Sequence, residues 1–233
     1  MRILVIDNNV DPTSWGARNL VRYASQVPGS TVYTRRGPCD DLPSSVRGFD
    51  KIVISGSRTS CLDTYPWVEK LESLVREAIE SGTPLLGVCY GHQVLARAVA
   101  GRQIVREADQ SEFGWTEIQI EAKSALLEGL PKKFFTFSSH FQEVAQVAPG
   151  FRRLASSRDC AIQAVELEGK PVFGIQFHPE KSIADAKEVI QERVEKGGAS
   201  TVLFPHDSEK LYSPEVGQRI FENFFKLVGT SSQ

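Results

Sequence analysis

The sequence lacks the features of several large classes of protein. Its 27 Lys and Arg residues against 29 Asp and Glu residues give a net charge of −2, so no basic excess is available to attract nucleic acid. No apolar run approaches the roughly 18 residues that a membrane-spanning helix needs. The start of the sequence has only a short apolar run and no small-residue cleavage site, which does not fit a signal peptide. We therefore expect no nucleic-acid partner and no membrane association.

Cysteine and histidine are also scarce, with four of each among 233 residues. The cysteines form no Cys-x-x-Cys pair, and no Cys and His residues have the spacing of a zinc site. This absence predicts a protein without a metal or other cofactor, and a reducing, cytoplasmic location is the simplest expectation. The cysteines are Cys39, Cys61, Cys89 and Cys160.

Strand and helix patterns alternate through the first hundred residues. Strands are predicted at 2–6, 32–33, 51–55 and 84–88, and helices at 14–26, 66–81 and 90–100. Strands that alternate with helices in this way are typical of a parallel, doubly wound sheet with flanking helices. The first half of the chain therefore predicts an α/β fold.

The second half of the chain is richer in short strands. Further strands are predicted at 103–106, 115–120, 133–137, 151–155, 161–166 and 171–177, and helices at 183–196 and 214–228. Because little helix lies between these strands, we expect antiparallel additions to a mostly parallel central sheet. Ser182 and Asp185 predict a capping box at the first of the two helices, and Ser213 is the predicted N-cap of the second. Residues 1–233 are expected to form a single domain.

Cys89 stands between two glycines, at the point where a predicted strand meets a predicted helix. Ligands bind at that edge of open α/β sheets, and a residue in a tight strand-to-helix turn projects its side chain into the crevice. Gly87 and Gly91 are expected there because a Cβ atom at either position would clash with nearby backbone. The positive end of the helix dipole favours the thiolate. We therefore predict a nucleophile, against the alternative of a small buried apolar residue.

His178 has the best context for a general base among the four histidines. It ends a predicted strand, and Glu180 follows two residues later, on the same side of extended backbone. A carboxylate there fixes one ring nitrogen, so that the other faces the thiol. Pro179 restricts the pair to extended conformations. Cys89, His178 and Glu180 thus form a predicted nucleophile, base and orienting group, and the alternative is a surface turn.

The other histidines carry weaker signals. His92 falls in the first turn of the helix after Cys89, where we expect a structural role. His140 is predicted to lie on a loop after the strand at 133–137, where it is placed to line the crevice.

The motifs GVCYGHQ (87–93) and FGIQFHPEKS (173–182) together resemble the class I, triad-type glutamine amidotransferases. The resemblance extends from RILVIDN near the start through most of the chain. It implies a flavodoxin-like fold, an enzyme that hydrolyses glutamine to glutamate and ammonia, and a separate synthase as partner. Cys89 would form a γ-glutamyl thioester, His178 would protonate the leaving ammonia and then activate water, and Glu180 would orient His178.

The resemblance also suggests an oxyanion hole. One donor would be the backbone N–H of Tyr90, and the other would come from the loop after the strand at 51–55, at Gly56 or Ser57. Relatives have a second glycine where this chain has Ser57. A serine still offers a backbone N–H as donor, but the loop need not have the same shape as in those relatives.

Substrate contacts are implied at Gln93, Ser139, His140 and Phe141. Gln93 matches a glutamine that contacts the substrate in the family. The other three match a Ser-His-Gly segment whose backbone holds the substrate, and Phe141 replaces its glycine.

The runs CYGHQ, EFGW and SSH are most similar to the amidotransferase domains of GMP synthases and to their stand-alone relatives. About thirty residues, at 183–212, exceed what compact relatives have between the His-Pro-Glu motif and the last helix. This insertion is either decoration at the edge of the sheet or a lid or partner surface near His178.

Three functions are compatible with these residues. The first is an amidotransferase that delivers ammonia to a separate synthase. The second is a stand-alone γ-glutamyl hydrolase or peptidase, in which the same triad cleaves a larger γ-glutamyl amide. The third, a binding module that keeps only the fold, is disfavoured because the triad is intact.

Overall fold

A computed structural model describes residues 1–11 and 16–229, and in this part of the chain nine strands form one sheet. The strands are β1 (Arg2–Asp7), β2 (Thr31–Arg36), β3 (Lys51–Ile54), β4 (Leu85–Val88), β5 (Val105–Ile120), β6 (Lys133–Val144), β7 (Phe151–Ser156), β8 (Ala164–Leu167) and β9 (Val172–Ile175). The α-helices are α1 (Arg18–Ser25), α2 (Pro66–Ser81), α3 (Tyr90–Ala100), α4 (Ile183–Glu195), α5 (Ser208–Leu211) and α6 (Pro214–Lys226).

The strand order is β2-β1-β3-β4-β9-β8-β7-β5-β6. Neighbours from β2 through β9 are parallel, and neighbours from β9 through β6 are antiparallel. The predicted α/β class with antiparallel additions is confirmed. The order also places β9, which precedes His178, directly beside β4, which precedes Cys89.

The antiparallel part is larger than the sequence predicts. The predicted strands at 103–106 and 115–120 are one continuous strand, β5, which pairs along β6 with a register shift between Glu107 and Glu112. Most residues from 106 to 111 are exposed, so this stretch has no apolar pattern that would reveal a strand. The same pairing carries β6 on to Val144, well past the predicted end at 137.

The core lies on both faces of the sheet, which explains the apolar run of β1. Leu4 and Ile6 pack with α2 and α3 on one face, whereas Ile3 and Val5 pack with α1 and α6 on the other. Alternate side chains of a strand point to opposite faces, so a strand buried on both sides must be apolar throughout. No helix in the described ranges is long and apolar enough to span a bilayer.

Helix boundaries follow local signals closely. Helices α2 and α3 have the predicted bounds, and Gly82 ends α2 in a left-handed conformation. The capping box of Ser182 and Asp185 at α4 is present as predicted. Ser213 is the N-cap of α6, but its side chain makes no capping hydrogen bond. Part of the predicted helix at 14–26 lies outside the described residues, and α1 begins at Arg18.

The insertion at 183–212 is anchored on the antiparallel end of the sheet. Ile190 of α4 is buried in a cluster with Trp115 and Phe137 of β5 and β6. The indole N–H of Trp115 donates to Ser208 Oγ at 2.9 Å. The insertion therefore has a hydrophobic core of its own, shared with β5 and β6.

Replacing Ile190→Ala should lower the free energy of unfolding by about 2–4 kcal/mol, because it removes buried apolar volume between α4 and the sheet. Urea denaturation followed by circular dichroism measures the change. Val194→Ala, at a position of the same helix that is 41% exposed, is the matched control and should change stability by less than about 0.5 kcal/mol. Equal effects of the two variants would show that α4 does not pack on the sheet.

Candidate active site

Cys89 occupies a strained turn between β4 and α3. Its φ of 51° and ψ of −102° lie in a region that non-glycine residues rarely adopt, at a cost of order 1–3 kcal/mol. The backbone N–H of Cys89 donates to Ile175 O at 2.7 Å, which ties the turn to β9. The side chain is nearly buried, at 5% exposure. Strain of this kind persists only where the surroundings impose it, and it is concentrated at active sites.

The two flanking glycines are required by close backbone contacts, as predicted. A Cβ atom at Gly87 would overlap the carbonyl group of Gly91. A Cβ atom at Gly91 would lie 2.5 Å from Ile54 O. Any larger residue at either position would force α3 away from the sheet, and the turn at Cys89 with it.

His178 and Glu180 meet beside Cys89. His178 Nδ1 is 2.6 Å from Glu180 Oε1, and the His178 side chain lies beside that of Cys89. Gly56, after β3, lies against both residues, since a Cβ atom there would be 3.0 Å from His178 Cε1 and 3.6 Å from Cys89 Cβ. The structure therefore brings the three predicted catalytic residues together, with Gly56 beside them.

The charges of this cluster change the titration of His178. Burial by itself lowers the pKa of the imidazole, but the negative charge of Glu180 and the neighbouring Cys89 sulfur outweigh it and raise the pKa to about 10. Burial likewise raises the pKa of Glu180, but its His178 partner outweighs this and holds that pKa below its usual range. The imidazole is thus a cation near neutral pH, paired with a carboxylate on one side and facing the thiol on the other.

The predicted oxyanion loop is fixed by its own side chains. Ser57 Oγ donates to Asn8 O at 2.8 Å and accepts from Thr59 N–H at 3.0 Å. Asn8 Nδ2 donates to Ser55 O at 2.8 Å. The serine that replaces the expected glycine therefore holds the loop against the end of β1. Tyr90, the other predicted donor, is the first residue of α3.

A cavity of about 460 Å³ opens over the cluster. Its walls include Gly56, Ser57, Ser139, His178 and Glu180, together with charged residues of α1, the oxyanion loop and α4. The α4 residues in the wall are Asp185, Glu188, Val189 and Glu192. The insertion thus forms one side of the candidate active site.

Three of the predicted substrate contacts lie in β6, where the sequence predicts a loop. Ser139 lines the cavity, and its carbonyl oxygen is 3.8 Å from Cys89 Sγ. The ring of His140 points away from the cavity and meets Glu112 Oε2 at 2.9 Å in a buried pair, so the prediction that its side chain lines the crevice is wrong. Phe141 is 42% exposed, and the Arg193 guanidinium lies 5.5 Å from its ring centre.

Gln93, the fourth predicted contact, is almost fully buried. Its Nε2 donates to Gln142 O at 2.8 Å and to Gln176 Oε1 at 3.1 Å. Gln176 in turn has its Nε2 3.5 Å from Cys89 Sγ. Sequence reasoning missed Gln176, because its contact with Cys89 is made between two strands that are far apart in the sequence.

His92, which is predicted to be structural, and Cys61 are both buried, and neither lines the cavity. His92 is 1% exposed, and burial lowers its pKa to about 3, so it is a neutral core residue. Cys61 is fully buried, and burial raises the pKa of its thiol to about 12. Among the described residues, no group of three or more His, Cys, Asp or Glu is arranged to hold a metal ion.

Comparison with known proteins places this geometry in a family. The model of the family "Glutamine amidotransferase class-I" matches residues 4–207. The chain belongs to the class I glutamine amidotransferases. Over 153 residues it is 32% identical to one of the subunits of the glutamine-hydrolysing GMP synthase of Methanocaldococcus jannaschii, covering 65% of this chain and 74% of that protein.

A second relative and a solved structure show how much of the chain is similar to known proteins. The chain is 35% identical over 129 residues to the GMP synthase of Lachnospira eligens, which covers 55% of this chain but only 23% of that longer protein. A crystal structure of a glutamine amidotransferase from Methylobacillus flagellatus superposes with a TM-score of 0.82 at 22% identity, over 100% of this chain and 97% of that one. Family and relatives together indicate an amidotransferase enzyme of the GMP-synthase-like group, in agreement with the sequence motifs.

Glu180→Gln should lower the pKa of His178, because it removes the carboxylate while the burial that opposes protonation remains. NMR titration of histidine-labelled protein measures this, with His92 as an internal control. The pKa of His178 in the folded protein, about 10, exceeds the ordinary histidine value of 6.5. The pair of His178 and Glu180 therefore stabilises the fold fully below pH 6.5, and this contribution is lost as the pH rises through 10. An unchanged pKa in the variant would contradict the charge pairing.

Proposed function

We propose that this protein hydrolyses glutamine to glutamate and ammonia through a cysteine thioester, and that it passes the ammonia to a separate synthase. The observation that carries the proposal is the strained Cys89 turn beside His178, whose Nδ1 is held 2.6 Å from Glu180 Oε1. This is the arrangement of nucleophile, base and orienting carboxylate that acyl transfer requires.

The reaction runs in two halves. Cys89 Sγ attacks the side-chain carbonyl carbon of glutamine, and the protonated imidazole of His178 gives its proton to the amide nitrogen as the C–N bond breaks. Ammonia leaves, and the γ-glutamyl group remains on sulfur as a thioester. His178, now neutral, takes a proton from water as the water attacks the thioester carbon. Glutamate leaves, and the thiolate and imidazolium are restored.

The negative oxygen that develops in both halves needs hydrogen-bond donors. We assign this role to the backbone N–H of Tyr90, at the N-terminus of α3, and to a backbone N–H of Gly56 or Ser57. Removing one such donor typically costs 10²–10³ in rate, so the placement of the loop matters. The Ser57 hydrogen bonds to Asn8 and Thr59 support a loop that is rigid enough for this purpose.

Ser139 and the backbone of His140 and Phe141 are the proposed contacts to the glutamine itself, with Gln93 behind them. Ser139 lines the cavity, and its carbonyl oxygen faces the thiol. A carbonyl at that position accepts a hydrogen bond from an ammonium or amide N–H of the substrate. The side chain of His140 supports the strand from behind, through its pair with Glu112.

The partner is proposed from the relatives. The Methanocaldococcus protein is named as one of the subunits of a glutamine-hydrolysing GMP synthase, and this chain matches 74% of its length. The match to the Lachnospira GMP synthase covers only 23% of that protein. The name of the Methanocaldococcus protein supports a glutaminase unit that works with a separate synthase, with a purine nucleotide as a candidate acceptor of the ammonia.

A second candidate is a γ-glutamyl hydrolase that uses the same triad. The observation in its favour is the cavity of about 460 Å³, which α4 extends beyond the residues around Cys89. This volume lies within the range of pockets for whole small ligands, and it exceeds what one amino acid side chain needs. The chemistry differs only in the leaving amine, which would be a γ-linked amino acid or peptide in place of ammonia.

The test measures glutamate release from glutamine and from γ-glutamyl dipeptides, with the Cys89→Ala variant beside the wild type. Loss of the nucleophile should lower every turnover by about 10³-fold or more, while Cys39→Ala, an exposed cysteine outside the cavity, should have no effect. Turnover of glutamine that rises when a synthase is added favours the first candidate, and turnover of dipeptides alone favours the second. Equal activity of wild type and Cys89→Ala on all substrates would refute both.

A covalent readout makes the test independent of any partner. A glutamine analogue that carries an electrophilic diazoketone should alkylate Cys89, and mass spectrometry of the proteolytic peptides locates the adduct. Label on another cysteine with none on Cys89 would contradict the proposed nucleophile.

A further inference from the structure

Gln176 is a buried amide in direct contact with the proposed nucleophile. It follows β9, has no exposed surface, and its backbone N–H donates to Gln163 O at 2.8 Å. Gln176 and His178, two residues apart in the segment after β9, both lie beside Cys89. Gln176 Nε2 is 3.5 Å from Cys89 Sγ, within hydrogen-bond distance for sulfur.

The orientation of the Gln176 amide is fixed by its neighbours. The carbonyl oxygen of Gln142 can only accept, so the Gln93 atom 2.8 Å from it must be the NH₂ group. The same NH₂ group then faces Gln176 at 3.1 Å, where it requires an oxygen. The remaining atom of the Gln176 amide, which faces Cys89, is therefore its NH₂ group, and an exchange of the two ends would place two donors together.

This orientation favours one ionisation state of the sulfur. A thiolate accepts a hydrogen bond from the Gln176 amide at 3.5 Å and faces the His178 imidazolium, whereas Ser139 O, an acceptor that would favour the thiol, lies farther away at 3.8 Å. A neutral thiol accepts these bonds much more weakly, which leaves the buried N–H groups poorly paired. The strand that carries the base thus also carries a donor for the nucleophile.

We propose that Gln176 is a further catalytic residue, whose side-chain N–H donates to Cys89 Sγ and stabilises the thiolate, and that Gln93 is the positioning residue that orients this amide. The inference rests on the proposed role of Cys89 as the nucleophile. It gives Gln93 a function through Gln176, because its amide nitrogen is already bound to Gln142 O and Gln176 Oε1.

Two replacements of Gln176 test the donor in different ways. Gln176→Met keeps the length of the side chain and removes the amide. Gln176→Glu keeps an oxygen to accept from Gln93 but replaces the donor to sulfur with an anion. Both should lower the fraction of Cys89 present as thiolate at pH 7, measured by absorbance at 240 nm against a Cys89→Ala baseline. Both should also slow alkylation of Cys89 by iodoacetamide about 10-fold or more, the value expected for a hydrogen bond to a charged group.

A matched control separates this effect from general damage to the core. Gln163 is also a fully buried glutamine, but its amide donates to Glu112 and Ser157. Circular dichroism first shows that the Gln163→Met protein is folded. In that protein the fraction of Cys89 present as thiolate should equal that of the wild type. The proposal is overturned if both Gln176 variants retain the thiolate fraction of the wild type, or if the Gln163 variant loses as much.

A double-mutant cycle tests the role of Gln93. If Gln93 acts by orienting Gln176, Gln93→Met should lower the thiolate fraction, and the double variant Gln93→Met/Gln176→Met should be no worse than Gln176→Met alone. Additive losses would overturn the positioning role. These readouts need no substrate, so their outcome is independent of the assay of glutamine turnover. That assay tests the proposed function itself, which would be refuted if Cys89→Ala left the turnover unchanged.

Discussion

The left-handed backbone of Cys89 is the constraint on which the rest of the site depends. One cause of this conformation is the close contact of α3 with the sheet, where Gly91 lies against Ile54 O and Gly87 lies against Gly91. The other cause is the hydrogen bond from Cys89 N–H to Ile175 O. A non-glycine residue in this conformation is strained by about 1–3 kcal/mol, which the core on both faces of the sheet must offset. The result is a thiol that points out of the sheet at the N-terminus of a helix, where the dipole favours negative charge.

The order of strands around β4 brings several of its neighbouring groups to the thiol. On one side β9 continues into Gln176 and His178, and on the other side β3 continues into Gly56. Residues that are distant in sequence therefore meet because parallel strands end at the same edge of the sheet. The antiparallel strands contribute from behind, through Gln142 O on Gln93 and through the buried pair of Glu112 and His140.

The sequence predicts those parts of the structure that depend on short-range signals. Helices α2 and α3 are bounded by local capping and spacing, and the Cys89 turn and the His178–Glu180 pair each lie within a few residues. The continuity of β5 is missed because residues 106–111 are mostly polar and exposed, and its two halves are joined only by the pairing with β6 on either side of the register shift between Glu107 and Glu112. Gln176 is missed because its contact with Cys89 depends on β9 lying beside β4, and no spacing within one segment reveals which strands are neighbours. The side chain of His140 is misplaced for the same reason, since its partner Glu112 lies on another strand.

The contacts of α4 identify the insertion as a wall of the active site. Asp185 caps the helix through Ser182 and also binds Arg18 and Asn19 of α1, at 2.7 and 2.9 Å. Burial by itself raises the pKa of Asp185, but hydrogen bonds from Ser182 and Asn19 outweigh it and lower that pKa to about 2, so the carboxylate is ionised at neutral pH. The other face of α4 is held by the cluster with Trp115 and Phe137. A helix fixed on both sides cannot swing as a lid without breaking a hydrophobic core. The insertion therefore forms a fixed wall of the cavity, and its side chains set the shape and charge of that side.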